Sequence, residues 1–235
     1  MMANKYLDLL AYFGIGGAHP GGFSLTQALL SDILIKPTDH VLEVGCGTGQ
    51  TADYISKRFR CEVTGLDNHP VMIEKAKTRV KDAKYPVHII LGDTEQMPFS
   101  NDSFDVILAE SVICFTTITN TLQEISRVLK PGGKFLMIEM TAEQTPTDEL
   151  KEETRSIYGI TELLLENEWK DRLEQAGFVL LPMEELSEDE AVDLPEMRLS
   201  ESIDLSLYDV WDQHNEFLMQ KGHLVGYRVF SCLKR

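Results

Sequence analysis

The chain has 235 residues, with 22 Lys and Arg against 38 Asp and Glu, for a formal net charge of −16. Hydrophobic residues make up 43% and charged residues 26%, which sets wholesale disorder aside and supplies enough apolar surface for one sizeable core. The acidic balance counts against a protein that tracks phosphates, so no nucleic acid is expected as a partner.

Cys46, Cys61, Cys114 and Cys232 are widely scattered, without a C-x-x-C pair or a His at metal spacing. Neither a metal site nor a disulfide framework is expected, and reduced thiols suit a cytoplasmic enzyme. The apolar run from Tyr6 to Phe13 is interrupted by Asp8 and is too short for a signal segment. No stretch approaches the roughly 20 apolar residues of a membrane span.

Residues 1–36 read as one or two helices, split by Gly14-Ile15-Gly16-Gly17-Ala18-His19-Pro20-Gly21-Gly22. Beyond them, short apolar runs alternate with helical patterns. Strands are expected at Val41–Val44, Glu62–Leu66, Val87–Leu91, Asp105–Ala109 and Lys134–Glu139. Helices are expected over Thr51–Phe59 and Val71–Val80, the second opened by Pro70. A third carries Leu122, Ile125 and Leu129 on one face and stops at Lys130-Pro131-Gly132-Gly133. This rhythm predicts a parallel sheet covered on both faces. Residues 141–176 read as polar and helical, and residues 183–204 as an acidic solvated loop or broken helix. The alternating Tyr227–Leu233 segment reads as a closing strand.

The chemistry is concentrated in Val41-Leu42-Glu43-Val44-Gly45-Cys46-Gly47-Thr48-Gly49. A buried strand ends in G-x-G-x-G and a helix follows. Glycine permits the sharp turn and lets backbone approach a ligand with no Cβ in the way. Asp67 ends the next strand, about 20 residues beyond the turn, where an acid can accept both hydroxyls of an adenosine ribose. A tight turn without ligand, and a carboxylate serving the following helix, are the plainer readings of these residues. Gly92-Asp93-Thr94-Glu95, Ser103-Phe104-Asp105 and Leu129-Lys130-Pro131-Gly132-Gly133 follow in order.

With these motifs in this order, the chain resembles the class I S-adenosylmethionine-dependent methyltransferases, and within them the ubiquinone and menaquinone biosynthesis branch. The resemblance is strong over residues 35–140 and moderate over 160–182. It implies an α/β, Rossmann-like fold: a seven-stranded, mostly parallel sheet with a reversed last strand, helices on both faces and a helical N-terminal lid (residues 1–36). The methyltransferase domain would occupy residues 37–235, with acceptor-side segments at 141–168 and 183–222. The implied cofactor is S-adenosyl-L-methionine, and the implied partner is a small-molecule acceptor, for a monomer or homodimer.

The resemblance also assigns roles. Gly45, Cys46, Gly47, Thr48 and Gly49 would lie under the methionine part of the cofactor, with Glu43 organising the turn or meeting the amino group through water. Asp67 and Asn68 would meet the ribose, and Met72 would cover the adenine. Asp93 would accept from the adenine amino group, and Thr94 would offer its backbone N–H to the ring. Glu110 and Ser111 would contact the methionine end. Cys114-Phe115 departs from the branch, where many relatives carry a His pair. The Asp-Pro-Pro-Tyr motif of amino-group DNA methylases is absent.

His19 stands between glycines and is the best candidate for a general base on a closing lid; a hydrogen-bonded turn residue is its plainer reading. His69 reads as a surface turn residue. Tyr208, Trp211, Phe217 and Met219 could form an apolar acceptor pocket or simply a core helix. Two other functions share the glycine turn and the acid: an NAD-dependent oxidoreductase and a non-catalytic S-adenosylmethionine-binding module.

Overall fold

The computed structural model describes residues 4–183 and 195–235. Of the acidic stretch at 183–204, residues 184–194 lie outside the described residues. Seven strands form one sheet: β1 His40–Val44, β2 Glu62–Asp67, β3 Val87–Leu91, β4 Phe104–Glu110, β5 Leu129–Ala142, β6 Phe178–Leu180 and β7 Val225–Lys234. Their order is β3-β2-β1-β4-β5-β7-β6. The first five run parallel, and β7 runs antiparallel to both β5 and β6. The reversed strand is the expected Tyr227–Leu233 segment, extended at both ends.

The period of two along the strands sorts the core into two faces. Leu42, Val44, Ile107, Ala109, Phe135 and Met137 point to one face. There they meet Leu122 and Ile125 of α5 (Ile118–Val128) and Trp169 and Leu173 of α7 (Glu166–Gln175). Val41, Val63, Val106, Leu108, Leu136 and Ile138 point to the other. They meet Ala52 and Ile55 of α3 (Gln50–Phe59) and Leu25, Leu29 and Leu30 of α2 (Gly22–Ser31). Thus α2 is a sheet-covering helix. Only α1 (Lys5–Phe13) and the glycine-rich segment after it lie over the strand ends.

Asn4 caps α1, its side chain accepting the N–H groups of Tyr6 and Leu7, and Gly14 ends it at φ +62°. Leu9, Phe13 and Ile15 then pack against Leu207 and Val210 of α8 (Ser206–Lys221). The two ends of the chain therefore build one satellite core. α4 (Pro70–Val80) starts with Pro at its first turn, as expected, and α6 (Asp148–Tyr158) fills part of the acceptor-side segment.

One expectation is corrected. Leu129 packs in the same core as Leu122 and Ile125 but is not part of their helix: it is the first residue of β5, paired with Phe104. Its backbone is extended (φ −76°, ψ 136°), because Pro131 cannot continue a helix and biases Lys130 away from the helical region. The three-residue β6 is too short to show any alternation in the sequence.

Candidate active site

Because the first two crossovers run to one side of β1 and the third returns to the other, the carboxyl ends of β1 and β4 diverge at a switch point. A cavity lies there. Its floor is Glu43 of β1 and the loop Gly45–Thr48, with Asp67 at the end of β2 on one side and Glu110 at the end of β4 on the other.

The loop is shaped by its glycines. Gly45, Gly47 and Gly49 all have positive φ (+68°, +50° and +73°). A Cβ on Gly45 would lie 2.2 Å from Cγ2 of Val112, so the neighbouring loop fills that space. A Cβ on Gly47 would meet nothing within 4 Å, so the space before it is the cavity. Gly45 and Cys46 both donate their N–H to the carbonyl of Leu66, at 2.7 and 3.0 Å. Asp67 Oδ2 accepts the N–H of Gly47 at 2.9 Å and Oδ1 that of His69 at 2.8 Å. Burial nonetheless pushes the Asp67 carboxyl above its ordinary range, against the pull of these N–H groups.

Glu43 is 4% exposed. Burial and the nearby Glu110 push its carboxyl well up, while the Ala52 N–H opposes this. Met72 and Thr94 are buried against the cavity, and Asn68, on the exposed side of the chain, lines it too. Asp93 does not line it; this residue is exposed and its Oδ1 accepts the N–H of Glu95 at 2.9 Å. Gly49 also stands outside, as the left-handed residue before α3.

The ceiling comes from the N-terminal segment. Gly16 approaches so closely that a Cβ there would lie 2.4 Å from Gln50 Oε1 and would displace that side chain. Its N–H donates to Glu196 at 2.9 Å. His19 is 9% exposed, with Nδ1 3.0 Å from the Pro20 carbonyl and Nε2 3.0 Å from Thr26 Oγ1. Two ties hold the ceiling down. Asp8 Oδ1 lies 3.1 Å from His69 Nε2, and Arg79 joins the Thr48 carbonyl (2.9 Å) to Glu196 (2.7 Å). His69 is therefore more than a surface turn: its Nδ1 caps α4 and its Nε2 reaches α1.

The loop after β4 is set by Glu139, a carboxylate buried inside β5. It accepts the N–H groups of Val112 (3.0 Å), Ile113 (2.8 Å) and Cys114 (3.3 Å). Burial pushes its carboxyl up to about 7 in spite of them. Ser111 sits at the head of this loop at φ +52°, a conformation non-glycine residues adopt only when their surroundings enforce it.

Among the described residues, the buried side-chain polar atoms without a partner are Glu43 Oε2, Gln50 Oε1 and Ser111 Oγ. All three residues line this cavity. Buried polar groups are almost always satisfied, so three orphans around one space mark where a polar ligand belongs. The Asp67 carboxylate, a second carboxylate and two neutral polar side chains, and a Cβ-free loop fit an adenosyl amino acid. Gln50 is not singled out by the sequence, where it reads as an ordinary first residue of a helix.

A second cavity, of about 730 Å³, adjoins the first and shares His19, Gln50, Ser111 and Phe115 with it. Tyr6, Phe23, Met140, Tyr158 and Trp211 line it. Of the four residues proposed from sequence for an apolar pocket, Trp211 is here. Phe217 is core, Tyr208 stacks edge-on against Phe13, and Met219 is 86% exposed.

The methyltransferase-domain family model matches residues 42–137, the span from β1 to β5. An uncharacterized methyltransferase of Bacillus subtilis, YodH, is 37% identical over 98% of this chain and 100% of its own length. A sterol 24-C-methyltransferase of Kluyveromyces lactis is 32% identical over 66% of this chain and 44% of its own length. Among solved structures, the [4+2]-cyclase SpnF superimposes with a TM-score of 0.75 at 20% identity, covering 95% of this chain and 87% of that one. The chain belongs to the class I S-adenosylmethionine-dependent methyltransferases. It is an enzyme that uses S-adenosyl-L-methionine to methylate an acceptor. No helix among the described residues is long and apolar enough to cross a membrane.

Proposed function

We propose that the acceptor is a largely apolar small molecule, bound in the aromatic cavity beside the cofactor. The observation that carries this reading is the shared wall: the two cavities meet at His19, Gln50, Ser111 and Phe115. Glu196 at the aromatic cavity's edge is ion-paired to Arg79, while the phenols and imidazole among the aromatic lining are held neutral, which suits an uncharged ligand. Burial pushes the Tyr6 phenol up to about 12 and the Tyr158 phenol further still, and it lowers His214, whose Nδ1 lies 3.1 Å from the Tyr158 hydroxyl. Apolar sites with a few placed polar groups are the usual form for such ligands. The sterol acceptor named for the Kluyveromyces relative is of this kind, as are the quinones of the branch the sequence resembles. Four buried free cysteines fit a reducing, cytoplasmic setting.

In this reading Asp67 and Asn68 hold the ribose hydroxyls, Met72 covers the adenine, and Thr94 offers its N–H to it. The Gly45–Thr48 backbone, with Glu43, Gln50 and Ser111, receives the amino acid end. Bound there, S-adenosylmethionine supplies a methyl group on a cationic sulfur with a neutral leaving group. The protein's part is to align the acceptor, exclude water and provide for any proton released. Orientation alone can supply roughly 7 kcal/mol or more. α1 and the Gly14–Gly22 segment exclude water.

The test is transfer of labelled methyl from S-adenosylmethionine to a panel of apolar phenols, quinols and isoprenoids, set against polar amines, proteins and nucleic acids. Turnover confined to the apolar group, with a higher KM in Trp211→Ala, supports the assignment. Turnover confined to amines or macromolecules overturns it.

A further inference from the structure

The end of β4 and the N-terminal segment are joined by a buried chain of three polar side chains. Thr26 Oγ1, on a fully buried residue of α2, donates to Glu110 Oε1 at 2.7 Å. His19 Nε2 lies 3.0 Å from the same hydroxyl and 3.6 Å from the same carboxylate oxygen. His19 Nδ1 faces the Pro20 carbonyl at 3.0 Å. A carbonyl can only accept, so Nδ1 carries a hydrogen.

Counting hydrogens then gives a definite result. A threonine hydroxyl has one hydrogen, and here it goes to Glu110. With neutral His19 and ionised Glu110, the Nε2 lone pair faces a lone pair of Thr26 at hydrogen-bonding distance. One added proton removes the conflict, at either end. On Nε2, it donates to Thr26, which donates to Glu110. On Glu110 Oε1, it donates to Thr26, which turns its hydrogen to Nε2. The chain is one proton short of satisfied, and unmade buried hydrogen bonds are costly.

We propose that Glu110, Thr26 and His19 together take up the proton the acceptor releases, with Glu110 as the group that receives it. Both His19 ring nitrogens and the Thr26 hydroxyl are already engaged, so among these three the free lone pairs facing the cofactor cavity belong to Glu110. Thr26 and His19 are positioning residues that set its appetite for the proton. The acceptor's X–H bond breaks and an Oε1–H bond forms, while the methyl leaves sulfur for X and the sulfur keeps its electron pair. Charge balances: a sulfonium and an anionic triad become a neutral thioether and a neutral triad. The inference rests on the methyltransferase reading and narrows it to acceptors that carry a hydrogen on the attacked atom, such as a hydroxyl, or that lose one after carbon methylation.

Other titratable groups face the triad. Glu43 of β1 lies close enough for Glu110, and to a lesser degree Asp67 of β2, to disfavour its charge. Thr51 of α3 donates to Glu110 Oε2 at 3.2 Å. Their presence makes a variant control necessary.

The charge balance can be tested without an acceptor. Calorimetric titrations of the full chain with S-adenosylmethionine and with S-adenosylhomocysteine, each in buffers of different ionisation enthalpy, count the protons taken up. S-adenosylhomocysteine, lacking the cation, is expected to bind with uptake of about one proton more than S-adenosylmethionine. Glu110→Gln abolishes that difference. Thr26→Val moves the pH at which it is half developed, and Thr26→Ser restores it, which also decides the matter if Glu110→Gln does not fold. Equal proton counts for the two ligands in the unaltered protein, or a difference that survives Glu110→Gln, overturn the proposal. Binding of neither ligand instead overturns the reading on which it rests.

Discussion

The Asp67 carboxylate reaches from the end of β2 to the backbone N–H of Gly47, 2.9 Å away in the loop after β1. Its other oxygen takes the N–H of His69 at 2.8 Å. One buried side chain thus fixes the distance between the loop that would carry the amino acid end of the cofactor and the helix that would carry its adenine. Either hydrogen bond alone would leave one wall of the cavity free to shift.

The two loop glycines do different work, and alanine separates them. At Gly45 the added Cβ would lie 2.2 Å from Val112 at a φ of +68°. Overpacking and strain together cost about 2–5 kcal/mol there. At Gly47 the methyl enters open space, so only the left-handed backbone is penalised, by about 1–2 kcal/mol. Thermal melts of Gly45→Ala are expected far below those of Gly47→Ala. Gly47→Ala remains folded, and its loss is in affinity for S-adenosylhomocysteine, read by calorimetry. Equal melting temperatures would show that the Val112 contact is unimportant.

Glu139 makes stability depend on pH in the unusual direction for a carboxylate. Its folded value, about 7, lies above the ordinary 4.5. The folded state therefore holds this proton more tightly than the unfolded chain. The resulting stability is fully present below pH 4.5 and is lost as the pH rises through 7. A shift of this size corresponds to about 3 kcal/mol. Glu139→Gln cannot titrate and cannot satisfy all three N–H groups, so it is less stable at every pH. Its deficit relative to the unaltered protein should shrink between pH 4.5 and 7 in urea melts. A deficit that grows over that range would contradict the burial argument.

The N-terminal covering is tied by Asp8 to His69. Because His69 Nδ1 accepts the Val71 N–H, the hydrogen sits on Nε2 and donates to Asp8. The pair is partly exposed and contributes about 1 kcal/mol or less to folding. Asp8→Ala should leave the melting temperature nearly unchanged while raising the dissociation rate of S-adenosylhomocysteine a few-fold in stopped-flow measurements. An unchanged rate would mean that α1 does not gate release.

Much of this arrangement is legible in the chain. The five parallel strands and the helices between them follow from apolar runs punctuated by glycine and proline, and the reversed β7 from its alternation. The short-range signal of Gly45–Gly49 and Asp67 locates the site because strand, turn and acid lie within one βαβ unit. Three features are not legible, each for a physical reason. Gln50 becomes a site residue only because Gly16, far away in the chain, packs against it. Glu139 sits mid-strand, and its three backbone partners belong to a different loop. His19 is visible as a histidine among glycines, but its link to Glu110 runs through Thr26, which lies 84 residues from Glu110 in sequence. Asp93 shows the converse: a motif position points to the adenine, yet its side chain closes its own turn.

The most direct measurement is calorimetric titration of the protein and of Asp67→Ala with S-adenosylmethionine and S-adenosylhomocysteine, with NAD as a control. Micromolar binding of both adenosyl ligands, weakened about 100-fold or more in Asp67→Ala because the two charge-assisted hydrogen bonds proposed to the ribose and the loop tie would be lost together, is the predicted result. Binding of NAD in their place, or undiminished binding by Asp67→Ala, would contradict the site described here.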